Sequence, residues 1–162
     1  MADEKLVGVT IADIRPDGYL DIIGRSASGI HVLGNNAGHD YSWLQHLPIE
    51  NLRSIVTADL DNDGDLDLVL AGKDGLQVAL SWEGRLHLEA EKVDPRAVSS
   101  LHVEDLDGDG RLDVVADRTL HFNATQDVGH WIRIALTGLN SVADGYGAKV
   151  EVHTSSGQQK RE

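Results

Sequence analysis

Cysteine is absent from the 162 residues. That excludes disulfides, thiolate catalysis and cysteine-built zinc sites, and it leaves the redox compartment undecided. Aromatic residues make up 4% of the chain against 41% hydrophobic overall, so Val, Ile, Leu and Ala must supply most of the packing. There is no apolar run long enough for a transmembrane helix, which takes about 18 residues or more. The opening Met1-Ala2-Asp3-Glu4-Lys5 has no basic region followed by an apolar one, so no signal peptide is visible. Basic charge is scarce: 14 Lys and Arg stand against 27 Asp and Glu, a net charge of −13. Nucleic acid demands a basic footprint and is not expected as a partner; neither is an anionic membrane.

What the chain does have is a recurring acidic loop. Asp59-Leu60-Asp61-Asn62-Asp63-Gly64-Asp65-Leu66-Asp67 and Asp105-Leu106-Asp107-Gly108-Asp109-Gly110-Arg111-Leu112-Asp113 are nearly the same sequence. A worn copy, Asp13-Ile14-Arg15-Pro16-Asp17-Gly18-Tyr19-Leu20-Asp21, lies upstream. The first aspartates stand at 13, 59 and 105, an interval of 46 residues both times. A chain of this length holds one domain or a short repeat array.

The second repeat reads as four short strands. Ser54–Ala58 is rich in β-branched residues, Leu66–Ala71 is a nearly continuous apolar run, and Leu76–Leu80 and Arg85–Glu89 alternate. Turns at Gly72–Gly75 and Glu83-Gly84 separate them. The first repeat follows the same plan with Val7–Ile11, Leu20–Ile23, Ile30–Leu33 and Tyr41–Leu44. The third offers Val98–Val103, Val114–Ala116 and Leu120–Phe122, with no obvious fourth strand. Four antiparallel strands at a period of 40 to 50 residues are the mark of a propeller blade. The expected fold is therefore all-β: three tandem four-stranded blades forming a partial propeller, with a short β tail. Closed propellers have about four to eight blades. Further blades from a longer parent chain, or from a homo-oligomer, are expected to complete the ring, and the fragment reading is favoured.

Each intact loop is equipped for a hard cation. Calcium takes six to eight oxygen ligands from carboxylates, carbonyls and water. Aspartates at loop positions 1, 3 and 5 line the inside of the turn, glycine at 6 permits the bend, position 7 offers its carbonyl and Asp at 9 closes the shell. The second loop thus offers Asp59, Asp61, Asp63, the Asp65 carbonyl and Asp67; the third offers Asp105, Asp107, Asp109, the Arg111 carbonyl and Asp113. An EF-hand would need a bidentate Glu at position 12, where Leu70 and Ala116 stand, and helical flanks. Acidic surface turns without an ion are the alternative. Yet two carboxylates 4 Å apart repel by roughly 4 kcal/mol at an effective dielectric near 20, so such crowding points to a cation. Oxygen ligands alone disfavour zinc and copper. In the first loop Arg15 replaces the position-3 carboxylate, leaving Asp13, Asp17 and Asp21. Either its guanidinium stands in for the ion or the loop simply keeps its turn, and no third calcium is expected there.

With their strand flanks, these loops resemble the FG-GAP/VCBS repeats of integrin-type β-propellers. The resemblance covers residues 6 to about 125, as blades at about 6–48, 49–94 and 95–125. It implies a calcium-bearing, extracellular or exported module for adhesion or ligand recognition, with calcium in a structural role. Residues 126–162 resemble an incomplete ASPIC/UnbV segment, through His130-Trp131-Ile132-Arg133-Ile134-Ala135-Leu136-Thr137-Gly138, Ser141 and Asp144-Gly145-Tyr146-Gly147-Ala148-Lys149-Val150. Trp131–Leu136 could instead serve as the fourth strand of the last blade.

No catalytic constellation emerges. The eight histidines are scattered, Gly24–Gly29 misses the nucleophile-elbow pattern, and Gly145-Tyr146-Gly147 lacks a dinucleotide fingerprint's third glycine. Asn123-Ala124-Thr125 is formally a glycosylation acceptor but reads as ordinary loop. Trp43, Trp82 and Trp131 are expected between sheets. The expected function is non-enzymatic recognition of a protein or glycan whose identity the sequence does not give. The alternative is a fragment of a propeller enzyme, a metal-assisted hydrolase of glycans or phosphoesters.

Overall fold

A computed structural model describes residues 5–89, 92–126, 132, 134–137, 148, 150–154 and 157–161. Among these residues every regular element is a strand. The chain divides into two compact units, Met1–Gly129 and His130–Glu162.

The first unit is three antiparallel sheets. The first contains β1 (Gly8–Ala12), β2 (Asp21–Arg25), β3 (Ile30–Asn35) and β4 (Tyr41–Leu47) in spatial order 1-2-3-4. The second repeats that order with β5 (Leu52–Ala58), β6 (Asp67–Gly72), β7 (Gly75–Trp82) and β8 (Arg85–Leu88). The third has β9 (Leu101–Glu104), β10 (Asp113–Ala116) and β11 (Thr119–His121), with no fourth strand among the described residues. This is the all-β, blade-like architecture expected from the repeat, and the sheets do not close into a ring.

Packing explains the strand patterns. β6 is buried at every position because both of its faces meet another sheet. One core joins the first and second sheets through Ile14, Ile23, Ile30, Val32, Leu68 and Leu70. A second core joins the second and third sheets through Leu60, Val69, Leu76, Val98, Val114 and Ala116. Gln45 on β4 clasps the backbone of Leu86 on β8, its Nε2 donating at 2.6 Å and its Oε1 accepting at 3.0 Å. β4 shifts register across Val32/Leu33, a bulge that carries it on to Leu47.

The links between sheets need glycine at one repeated place. Gly29 and Gly75 have φ of 140° and 114°. A Cβ there would lie 2.0 Å from the Leu47 carbonyl and 2.1 Å from that of Asp94, where the chain leaves for the next sheet. Only glycine fits both the conformation and the approach.

Trp43 and Trp82 depart from expectation: both are substantially exposed rather than held between sheets. Trp43 lies 5.4 Å from the His31 ring on the open face of the first sheet, and Trp82 stacks on His87. Trp43 lies on the edge strand β4 and Trp82 is the last residue of β7. In the second unit, β12 (Val150–Thr154) pairs antiparallel with β13 (Gly157–Arg161). Trp131, Arg133, Ser141 and Asp144–Gly147, on which the ASPIC/UnbV resemblance rests, lie outside the described residues.

Candidate metal centre

Each acidic loop joins the first two strands of its sheet and is built around two aspartates. The position-1 carboxylate accepts the position-6 glycine N–H in all three loops: Asp13 from Gly18 at 2.9 Å, Asp59 from Gly64 at 3.1 Å and Asp105 from Gly110 at 3.2 Å. These glycines have φ of 85°, 100° and 86°, a left-handed turn that brings the loop back over its own start. The position-9 aspartates Asp21, Asp67 and Asp113 are almost completely buried. Oδ2 of each accepts the N–H of position 2, from Ile14 (3.2 Å), Leu60 (2.8 Å) and Leu106 (3.0 Å). Oδ1 accepts an N–H from the far end of the third strand, at Asn35 (2.8 Å), Ser81 (2.8 Å) and Asn123 (2.9 Å). Position 9 is thus a latch between loop and sheet.

In the second loop, Asp59, Asp61 and Asp67 each bring a carboxylate oxygen within 4.8 Å of the others. In the third, Asp105, Asp107 and Asp109 do the same. The remaining residues read from the sequence lie nearby but outside these triads. Asp63 accepts from the Asp65 N–H at 2.8 Å. Arg111 pairs its guanidinium with Asp109 and donates Nε to the Asn123 carbonyl at 2.7 Å. Asp113 remains in its latch.

Electrostatics agree with crowding. Burial pushes the Asp61 carboxyl up, and the neighbouring Asp63 charge adds to it. Asp67 is pushed up to about 6, chiefly by burial; the Leu60 and Ser81 N–H groups oppose the rise, and Asp61 and Asp59 reinforce it. A nearby cation would reverse both trends. The donors are all oxygens, which fits a hard divalent ion.

The first loop is the internal comparison. Arg15 Nη2 donates to Asp21 Oδ1 at 2.9 Å and to the Asn35 carbonyl at 2.7 Å, with Asp17 at 3.7 Å. The guanidinium places positive charge among the loop's carboxylates. The loop also keeps its turn, through the Gly18 N–H on Asp13 and the Ile14 N–H on Asp21.

Two contacts escaped the sequence reading. Asn62, at φ 56°, donates to the Gly110 carbonyl at 3.1 Å and ties the second loop to the third. Asn123 donates to the carbonyls of Leu60 (2.7 Å) and Leu112 (3.2 Å). Asn35 makes the corresponding bond to Leu20 at 3.1 Å. Asparagine at the end of the third strand or just past it, in two of three repeats, was the available signal, obscured because the third repeat's hairpin is shorter.

A family model described as an FG-GAP-like repeat matches residues 13–70 and again 59–116. Both spans open on a position-1 aspartate and run through the following acidic loop. No curated protein and no solved structure matches the chain. With its repeat spacing, sheet order and loop geometry, the chain belongs to the FG-GAP-like repeat family.

Proposed function

We propose that this chain is a calcium-stabilised, non-enzymatic recognition module. The observation that carries the reading is the contrast among its three loops. Two gather aspartate triads, and the third brings a guanidinium to its carboxylates. Calcium would be held by Asp59, Asp61 and Asp67 in one loop and by Asp105, Asp107 and Asp109 in the next. Asp63 and the carbonyls of Asp65 and Arg111 lie on the same turns and are the groups available to fill out each shell. The ion supplies charge neutralisation and pins the loop to its sheet, a structural role. A ligand of the adhesion type, protein or glycan, would be met on surfaces the blades display. Partly exposed carboxylate sites suit the sub-millimolar to millimolar calcium of extracellular modules, so the reading places the protein outside the cell.

Calorimetric titration should count two calcium ions, and the melting temperature should rise with calcium. At 100 times Kd the stabilisation is about 2.7 kcal/mol. Asp61→Asn together with Asp107→Asn should abolish both effects. Absence of binding at millimolar calcium would overturn the metal reading. Calcium-dependent turnover of model glycans or phosphoesters, lost in Asp61→Asn, would overturn the non-enzymatic one.

A further inference from the structure

Two asparagine amides join the second acidic loop to the third. Asn62 stands at loop position 4, between Asp61 and Asp63, and its Nδ2 donates to the Gly110 carbonyl at 3.1 Å. Gly110 is position 6 of the third loop, next to Asp109, and its own N–H is held by Asp105. Asn123 makes the second link. Its Nδ2 donates to the Leu60 carbonyl at 2.7 Å, while its backbone is fixed on the third loop. There its N–H donates to Asp113 at 2.9 Å and its carbonyl accepts from Arg111 Nε at 2.7 Å. Leu60 lies between Asp59 and Asp61 and gives its own N–H to Asp67 at 2.8 Å. Both amides thus run from the neighbours of one triad to the frame of the other.

The preceding repeat has neither amide at the corresponding places. Pro16, which carries no side-chain donor, stands in the first loop where Asn62 stands in the second. Ser81 stands where Asn123 does, giving its N–H to Asp67 as Asn123 gives its own to Asp113. Its hydroxyl is buried without a hydrogen-bond partner. These two links therefore join the loops that gather aspartate triads, and their counterparts are missing where the earlier loop carries Arg15.

We infer that the second and third loops take up calcium cooperatively, with Asn62 and Asn123 carrying the coupling between them. The inference rests on the calcium reading of the two triads. Asn62 keeps its bond only while two left-handed turns hold their shape, its own at a φ of 56° and that of Gly110 at 86°. Ligation of one loop's carboxylates orders its turn and sets its half of each bond in place. The second loop to fill then meets a smaller ordering cost, which is positive coupling without a change of fold. Repulsion between two bound cations acts in the opposite direction and does not depend on the amides.

Calorimetric titration with calcium measures the coupling. Asp61→Asn confines binding to the third loop and Asp107→Asn to the second. In each, the amide oxygen can still accept the N–H of Asp63 or Asp109 that the carboxylate accepts. The product of the two wild-type association constants, divided by the product of these single-loop constants, is the coupling factor, and it should be about five or more. Asn62→Gly removes the amide and keeps the left-handed turn, as Gly108 does at the same position with a φ of 80°. Combined with the same single-loop substitutions, it should still bind two ions, with a factor at least about threefold lower. A merely structural role for Asn62 would weaken the second loop's own constant and leave the factor unchanged. Asn123→Ser, which installs the second repeat's residue, should lower the factor likewise, and far-UV circular dichroism checks that each variant is folded. Two ions bound with a wild-type factor of one, or a factor that neither variant lowers, would overturn the coupling and leave the calcium reading standing. No binding at millimolar calcium would overturn both.

Discussion

Asp67→Asn tests the second loop most directly, because its effect depends on pH in a calculable way. In the cation-free protein the Asp67 carboxyl stands at about 6 rather than 3.8. Between those pH values the folded chain holds a proton that the unfolded chain has released, so stability falls as pH rises through the window. At neutral pH the cost is about 3 kcal/mol, at 1.36 kcal/mol for each pKa step. Asparagine removes this dependence. It also sets an amide nitrogen against the Leu60 or Ser81 N–H that the carboxylate accepts, which costs about 1–3 kcal/mol. The two effects nearly offset at neutral pH, so the slope is the readout rather than the stability itself.

Urea unfolding followed by tryptophan fluorescence, in chelator from pH 4 to 7, should show wild type losing about 2.4 kcal/mol more than Asp67→Asn across that range. Contributions common to the two proteins cancel in the difference. Calcium should flatten the wild-type slope, since a bound cation favours the charged carboxylate. Identical slopes for the two proteins in chelator would refute the argument, because the buried carboxyl would then not be the titrating group.

Arg15→Asp restores the position-3 carboxylate of the first loop, and calorimetry should then count a third calcium ion. Without calcium the variant should lose about 3 kcal/mol, since the buried Asp21 loses a guanidinium at 2.9 Å; an unchanged ion count would argue against the side-chain cation. Gly75→Ala forces a Cβ to 2.1 Å from the Asp94 carbonyl at a φ of 114° and should cost more than about 3 kcal/mol by thermal unfolding. Gly18→Ala, at a φ of 85° with nothing within 4 Å, should cost only about 1–2 kcal/mol. Asn123→Ala loses its bonds to Leu60 and Leu112 and should cost about 1–3 kcal/mol in urea unfolding. Thr125→Ala, which abolishes the glycosylation motif but keeps those bonds, should stay within about 1 kcal/mol of wild type.

The strands were legible because their patterns report packing directly. Leu66–Ala71 reads as an apolar run interrupted by Asp67 alone, and β6 is buried at every position. The constant 46-residue interval placed the first and third repeats once the second was understood. Legibility failed where a single residue type serves two ends. Trp43 and Trp82 are apolar enough for a core, but composition carries no information on distance from the sheet axis. The end of β4 was set by a bulge opposite Val32/Leu33, which leaves no periodic trace.

Position 9 shows the same ambiguity in the candidate site. An aspartate there fits a metal shell and a backbone latch equally well by spacing, and only the direction of its oxygens separates the two. The first loop decides which role comes first. Its position 3 carries Arg15, and yet Asp21 is fully buried and accepts the N–H groups of Ile14 and Asn35 as Asp67 accepts those of Leu60 and Ser81. The third loop agrees, with Asp113 latched in the same way outside the triad of Asp105, Asp107 and Asp109. The latch is therefore common to every repeat, whereas the aspartate triad belongs to two. The aspartate triad is an addition to a loop whose closure the backbone already requires, and a repeat can carry a guanidinium in place of a triad carboxylate while keeping its fold.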